Sequence, residues 1–352
     1  MKGPVHIIGA SCISPQDTFD RDGIASVKGY DGHPLHAIAP DLRRYIDPVR
    51  GRRMARVSRF GMATALNALE RAGVRDPGGI IVGTGLGCME STERFLDTMI
   101  ANAEMMVNPT AFIQSTHNAV AGQIALALGS RACNFTYLHK GLSFPSALFD
   151  AFVQVRDEGN ERVLAGGVDI ITDDHFAIQR RSGLLKEEGV GNLGVLEHGG
   201  PGAVCGEGAA FFVLDGRPGQ GTDVRLVEVD IHYAPDLPDA AAHVRSILQR
   251  HMLEPDAIDL VVVGPNGDAM DDPAYGPVME LFPTATVTAF KPLCGEFYTA
   301  NAFGTWYAWS SLVQGRVHPE VLLRGEAQRP FRRALFYDRF RGCDHSVVIM
   351  ER

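Results

Sequence analysis

The chain has 352 residues, a formal net charge of -9 and 45% hydrophobic residues. That length and apolar share suffice for a large core, the acidic balance argues against nucleic acid as a partner, and no apolar run is long enough to cross a membrane. Its six cysteines show no CxxC spacing; they read as buried thiols, and neither a metal nor a cofactor is expected.

In chain order, VHIIGA (Val5 to Ala10) reads as a first strand. It is too short for the apolar core of a signal peptide, so the cytoplasm is the expected compartment. The stretch RRYIDPVRGRRMARVSRF (Arg43 to Phe60) is basic within an acidic chain. Mixed as it is with Met54, Val57 and Phe60, it reads either as a solvated helix face with internal salt bridges or as a surface for an acidic partner through Arg52, Arg53, Arg56 and Arg59. IIVGTGLG (Ile80 to Gly87) is not a dinucleotide fingerprint, because Cys88 stands at the third glycine position. Its glycines suit tight packing of strand against loop. MMVNPTAFIQSTHNAVAGQ (Met105 to Gln123) carries a bulky set in Met105, Met106 and Phe112, followed by Thr116 and His117.

The segment NFTYLHKGLSFPSAL (Asn134 to Leu148) has the pattern of an elbow. A β-branched and aromatic run at Phe135, Thr136 and Tyr137 leads through a small-residue turn into a helix bearing Leu148, Phe149, Phe152, Val153 and Val155. Nucleophiles are mounted at such elbows because the helix N-terminus offers free N–H groups and positive dipole. Cys133 is placed ahead of this strand, too far from the turn to serve. A buried strand follows in RVLAGGVDII (Arg162 to Ile171), and CGEGAAFFVL (Cys205 to Leu214) opens another strand instead of a phosphate-binding helix. DGRPGQGTD (Asp215 to Asp223) is the best boundary, giving halves of 1–215 and 216–352. LVVVGPNGD (Leu260 to Asp268) weakly echoes the segment near residue 80, and Lys291 lies in an apolar AFKPLCGE setting where Glu207 or Glu296 is its expected partner.

The order of the IIVGTGLG segment, STHNAVAGQIALALG (Ser115 to Gly129), the elbow, LAGGVD (Leu164 to Asp169) and CGEGAAFFVL resembles the β-ketoacyl synthases over nearly the whole chain. The resemblance implies an α/β thiolase fold of two similar halves, each with a mixed five-stranded sheet, in a five-layered α-β-α-β-α core dimerised through the N-terminal half. Condensing members use one cysteine and two histidines. Matching their motifs to this sequence puts Gly141 at the nucleophile, Gly264 at the first histidine and Glu296 at the second, while Lys291 is retained.

Decarboxylative condensation requires a thiolate to carry the acyl chain and imidazole N–H groups to stabilise an enolate. Two glycines and a carboxylate supply neither. The resemblance therefore implies a non-catalytic ketosynthase homologue, similar to the chain-length factors of type II polyketide synthases. Gly141 departs from the glutamine frequent in aromatic-polyketide members and points to the highly reducing aryl polyene type. Its implied partners are a catalytic ketosynthase, in a heterodimer, and an acyl carrier protein bearing a phosphopantetheine-bound chain. Met105, Met106, Phe112, Thr116 and His117 would wall the acyl tunnel at the interface, and the arginines would meet carrier protein or partner. The alternatives are a self-sufficient synthase or decarboxylase using Glu296 and His139, and a scaffold that binds carrier protein without touching the chain.

Overall fold

The computed structural model describes residues 3–105, 109–219, 223–234 and 239–352. Its strands are β1 (Val5–Ile13), β2 (Gly79–Gly83), β3 (Cys133–Tyr137), β4 (Val163–Asp169), β5 (Gly208–Asp215), β6 (Val224–Tyr233), β7 (Leu260–Val263), β8 (Thr286–Ala289), β9 (Leu322–Arg324), β10 (Arg333–Phe340) and β11 (Asp344–Glu351). Their spatial order is β3-β2-β4-β5-β1-β6-β11-β10-β7-β8-β9. In the first half β2 runs parallel to β3 and β4, and β4, β5 and β1 are successively antiparallel. The second half repeats this: β7 is parallel to β8 and β10, with β11 and β6 following antiparallel. The echo between residues 80 and 260 thus falls on β2 and β7, which hold equivalent places. The sequence-based expectation of five strands per half is corrected by β9, a sixth strand antiparallel to β8. The half sheets join through Val5–Ile7 of β1 against Val224–Leu226 of β6.

Side-chain alternation along the strands sorts residues into layers. Ile81, Ala165, Phe212, Leu214, Leu260 and Val262 face a central core with the helices Ser143–Arg156 and Ala300–Gln314 between the half sheets. Their neighbours Ile80, Val82, Leu164, Phe211 and Val213 face outward under the helices Arg56–Arg71 and Ala119–Leu128. Val261 and Val263 face the helix Ala240–Arg250 on the other side. Five layers result, α-β-α-β-α. The helix Ala300–Gln314 is buried on every side from Ala300 to Leu312, which suits its lack of a charged face.

Close approach explains two of the glycines. Gly166 faces Phe211 across the β4–β5 ladder, and an added Cβ would lie 2.6 Å from Phe211 Cε1. A Cβ on Gly85, in the turn after β2, would lie 2.6 Å from Tyr298 Cδ2. The expectation of tight strand-to-loop packing there is met by a contact between the two halves. Among the described residues no helix is long and apolar enough to cross a membrane, and no group of three or more His, Cys, Asp or Glu side chains could hold a metal ion.

Candidate functional site

The elbow forms as the sequence pattern predicts. β3 ends at Tyr137, a single 3-10 turn spans Lys140–Leu142, and the helix Ser143–Arg156 begins directly after it. Ser143 Oγ secures the turn, accepting from the His139 N–H at 2.8 Å and donating to the Lys140 carbonyl at 2.7 Å. Gly141 is buried at the middle of the turn. A Cβ built there would overlap Phe340 Cβ and lie 2.6 Å from its Cγ and 2.8 Å from its Cδ1. Phe340, the last residue of β10, thus fills the space a side chain at 141 would need. The Gly141 N–H donates to Asp344 Oδ2 at 3.1 Å, and its carbonyl accepts from Asn301 Nδ2 at 2.7 Å. The amide of the elbow glycine is therefore already bound to an anion of the chain itself.

Gly264, directly after β7, is closed in by side chains in the same manner. A Cβ there would overlap Asp338 Oδ1 and lie 2.8 Å from Phe290 Cε1 and 3.0 Å from Lys291 Cε. Asp338 also accepts from the Tyr275 hydroxyl at 3.0 Å. One strand end, Asp338 to Phe340, thus fills the space beside both Gly141 and Gly264. Glu296 Oε2 lies 2.7 Å from Lys291 Nζ and accepts from Asn266 Nδ2 at 2.7 Å. Lys291 Nζ also lies 3.0 Å from Asp338 Oδ1. These are ion-pair distances off the ideal hydrogen-bond directions, so charge more than aligned donation holds the ammonium.

Burial alone would depress the Lys291 pKa, but Asp338 and Glu296 reverse this and hold it above the ordinary value. Glu296 is pushed up by burial, opposed by Lys291 and reinforced by Asp338. Glu207 is not the partner of Lys291. Its buried carboxylate accepts from Arg56 Nη1 at 2.8 Å, the Ala37 N–H at 2.9 Å and the Ile171 N–H at 3.1 Å. Burial raises the Cys12, Cys88 and Cys294 thiols and pushes Cys205 up to about 12, away from the thiolate form. Cys133 and Cys343 are only partly buried, and Cys133 opens β3 instead of preceding it. Above the closed centre a cavity of about 260 Å³ remains, lined in part by Gln179, Asn266, Asp268, Glu296, Tyr298 and Phe340.

Residues 35–218 match the model of the beta-ketoacyl synthase N-terminal domain. The chain belongs to the beta-ketoacyl synthase family. No curated protein matches it significantly in sequence. Among solved structures it is similar to the ishigamide ketosynthase/chain length factor, with a TM-score of 0.81 at 16% identity, covering 100% of this chain and 99% of that one. A type II polyketide synthase acyl-carrier protein in complex with its ketosynthase bound to the hexaketide gives 0.79 at 14%, covering 100% of both chains. The ketosynthase ApeO in complex with its chain length factor ApeC from Xenorhabdus doucetiae gives 0.74 at 13%, covering 99% of this chain and 98% of that one. These similarities establish the thiolase fold of ketosynthases and chain length factors.

Other residues of this ketosynthase-family chain lie partly as expected. The basic stretch is not one helix: it breaks into a 3-10 turn at Leu42–Arg44, a short helix at Pro48–Gly51 and the helix Arg56–Arg71. Arg52 and Arg53 are exposed in the turn between the helices and Arg59 is partly buried, whereas the guanidinium of Arg56 is committed to Glu207. That pairing corrects the expectation of a free Arg56. Met105, Phe112, Thr116 and His117 are exposed, and Phe112 packs on Phe95 with ring centroids 5.3 Å apart. Met106 lies outside the described residues. Ile100, Ile113, Leu126 and Phe135 extend the exposed apolar surface, and Phe135 sits on the edge strand β3. His139 is exposed beside the elbow, apart from the Lys291 cluster.

Proposed function

We propose that this chain is a non-catalytic chain-length factor that pairs with an active ketosynthase and shapes the acyl tunnel during elongation on an acyl carrier protein. The observation that carries the reading is Phe340 in the space of the missing nucleophile. Condensation needs a thiolate and two imidazoles around one pocket, and here the corresponding space holds a phenyl ring and a carboxylate-ammonium cluster. The held Gly141 N–H supports the same conclusion, because an oxyanion would compete with Asp344 for that donor.

The uncovered surface supports a partner on the N-terminal half. An edge strand bearing the exposed Phe135, with exposed Ile113 and Leu126 on the same half, is a surface that a second chain would bury. Met105, Phe112, Thr116 and His117 would then border the partner's acyl tunnel, with length limited by steric exclusion. Arg52 and Arg53 are the arginines we assign to an acidic carrier protein or the partner. The pathway class we favour is highly reducing polyene synthesis, and we place the boundary between the halves after residue 215.

The test is to purify the chain alone and with a co-expressed ketosynthase, and to follow malonyl consumption on carrier protein by intact-protein mass spectrometry. Turnover is expected only from the pair. Turnover by this chain alone would overturn the reading. In an active pair, Phe112→Ala is expected to lengthen the product, and an unchanged product distribution would remove Phe112 from the tunnel wall.

A further inference from the structure

Lys186 is 3% exposed, and among the described residues its ammonium is held by main-chain oxygens. Its Nζ donates to the carbonyls of Gly199 at 2.6 Å, Gly267 at 2.7 Å and Gly200 at 3.1 Å, with the Pro201 carbonyl at 3.5 Å. Three short contacts satisfy the three protons of an ammonium. Burial lowers its pKa, and Asp268 and Asp272 oppose this only through space. A buried ammonium without a carboxylate is costly, so the oxygens around it must be well placed.

The backbone is shaped to place them. Gly199, Gly200, Gly202 and Gly267 have φ of 65°, 74°, 78° and 88°, the left-handed region that other residues rarely enter. A Cβ on Gly267 would lie 2.6 Å from Val195 Cγ2, and one on Gly202 would lie 2.7 Å from the Leu185 carbonyl carbon. The Ala269 N–H donates to the Gly200 carbonyl at 2.9 Å and fastens the two loops together. The Asn266 and Gly267 N–H groups are held by Asp272 at 2.9 and 2.8 Å. Both loops border the cavity above the closed centre, through Ala203, Asn266 and Asp268.

We propose that the carbonyls of Gly199, Gly200 and Gly267 form a monovalent-cation site whose resident cation is the chain's own Lys186 ammonium, and that a potassium or ammonium ion fills it once that side chain is removed. Converging neutral carbonyls are the ligand type that holds potassium after dehydration, whereas calcium and magnesium sites draw on carboxylates. Tethering the cation to the chain keeps its local concentration high, so the loops stay clamped at any salt concentration.

Thermal unfolding of the parent and Lys186→Ala in potassium, ammonium, lithium and choline chlorides at equal ionic strength tests this. The parent is expected to melt alike in all four. Lys186→Ala is expected to melt lower in lithium and choline and to regain most of that loss, saturably, in potassium and ammonium. Lys186→Met, which fills the stem volume without charge, is expected to lose stability that no salt restores. Equal melting of Lys186→Ala in all four salts, or melting of that variant at the parent temperature in lithium, would overturn the proposal. If Lys186→Ala does not fold in lithium, refolding yield into potassium against lithium is the readout, and no gain in potassium overturns the site equally.

Discussion

The elbow and the edge strand beside it lie on consecutive segments of one chain, yet they are opposites. At Gly141 the side-chain space is taken by Phe340, and the N–H and carbonyl are held by Asp344 and Asn301. A few residues earlier, on β3 and the segments packed near it, Phe135, Ile113 and Leu126 stand open. A site that had merely lost its chemistry would be left with an empty pocket, because closely packed interiors do not fill themselves after a deletion. Here the space around Gly141 is filled, while the neighbouring face leaves apolar side chains open. On the proposed function, that difference puts the work of the molecule at its surface.

The largest expected effect is on the closed side. Lys291→Met leaves Glu296 and Asp338 as two buried carboxylates without their shared cation, and should lower unfolding free energy by roughly 3 to 5 kcal/mol. Denaturant midpoints would report it, and a loss no larger than at an exposed lysine would contradict the cluster's structural role.

Next in size is a pair of opposing titrations. Burial depresses His345 to about 4, so the unfolded chain takes up its proton first and this group's stability is present above pH 6.5 and lost on acidification toward 4. Burial raises Asp169 to about 6, so its contribution is full below about pH 4 and lost as pH rises through 6. Each shift corresponds to about 3 kcal/mol, and the two slopes nearly cancel. Removing one should expose the other: stability of His345→Gln should fall with rising pH between 4 and 6, and that of Asp169→Asn should rise. Parallel profiles for the two variants would refute the assignment.

A smaller effect at Gly141, and its relief by a second change, tests the filling of the elbow directly. Gly141→Cys should cost about 1 to 3 kcal/mol by overpacking against Phe340. Phe340→Ala alone should cost about 3 to 5 kcal/mol as a buried aromatic truncation. The double variant should be more stable than the sum of the two predicts, since the alanine makes room for the thiol, and strict additivity would mean that the two residues do not compete for one space. On the open side the effect on the isolated chain should be smallest. Phe135→Lys should shift its stability by no more than about 0.5 kcal/mol while abolishing co-purification with a ketosynthase. A large destabilisation of the isolated chain would erase the contrast between the two regions.

Much of this was legible in the sequence, because strand periodicity and the elbow pattern are local signals. β3, the turn at Gly141 and the following helix fall where the apolar pattern places them, and Lys291 is buried beside Glu296 as its apolar setting implies. Asp338, Phe340 and Asp344 were not legible. They sit in FYDRFRGCD, an ordinary strand and turn; Phe340 and Asp344 act across about two hundred residues of sequence on Gly141, and Asp338 acts on Gly264. The glycines carried the only hint, since a glycine where a side chain is expected signals that something else occupies the space. Arg56 was misread for a related reason: its partner Glu207 is 151 residues away, and charge spacing within one helix says nothing about such pairs.

The short join between β1 and β6 has a consequence for assembly. By fusing the half sheets it leaves, among the described residues, two sheet borders, at β3 and β9. β9 has three residues and an irregular register with β8, which makes it a poor template for strand addition. Strand addition at one serviceable border can happen once and then stops, so growth by that route ends at a pair and does not continue into a fibre.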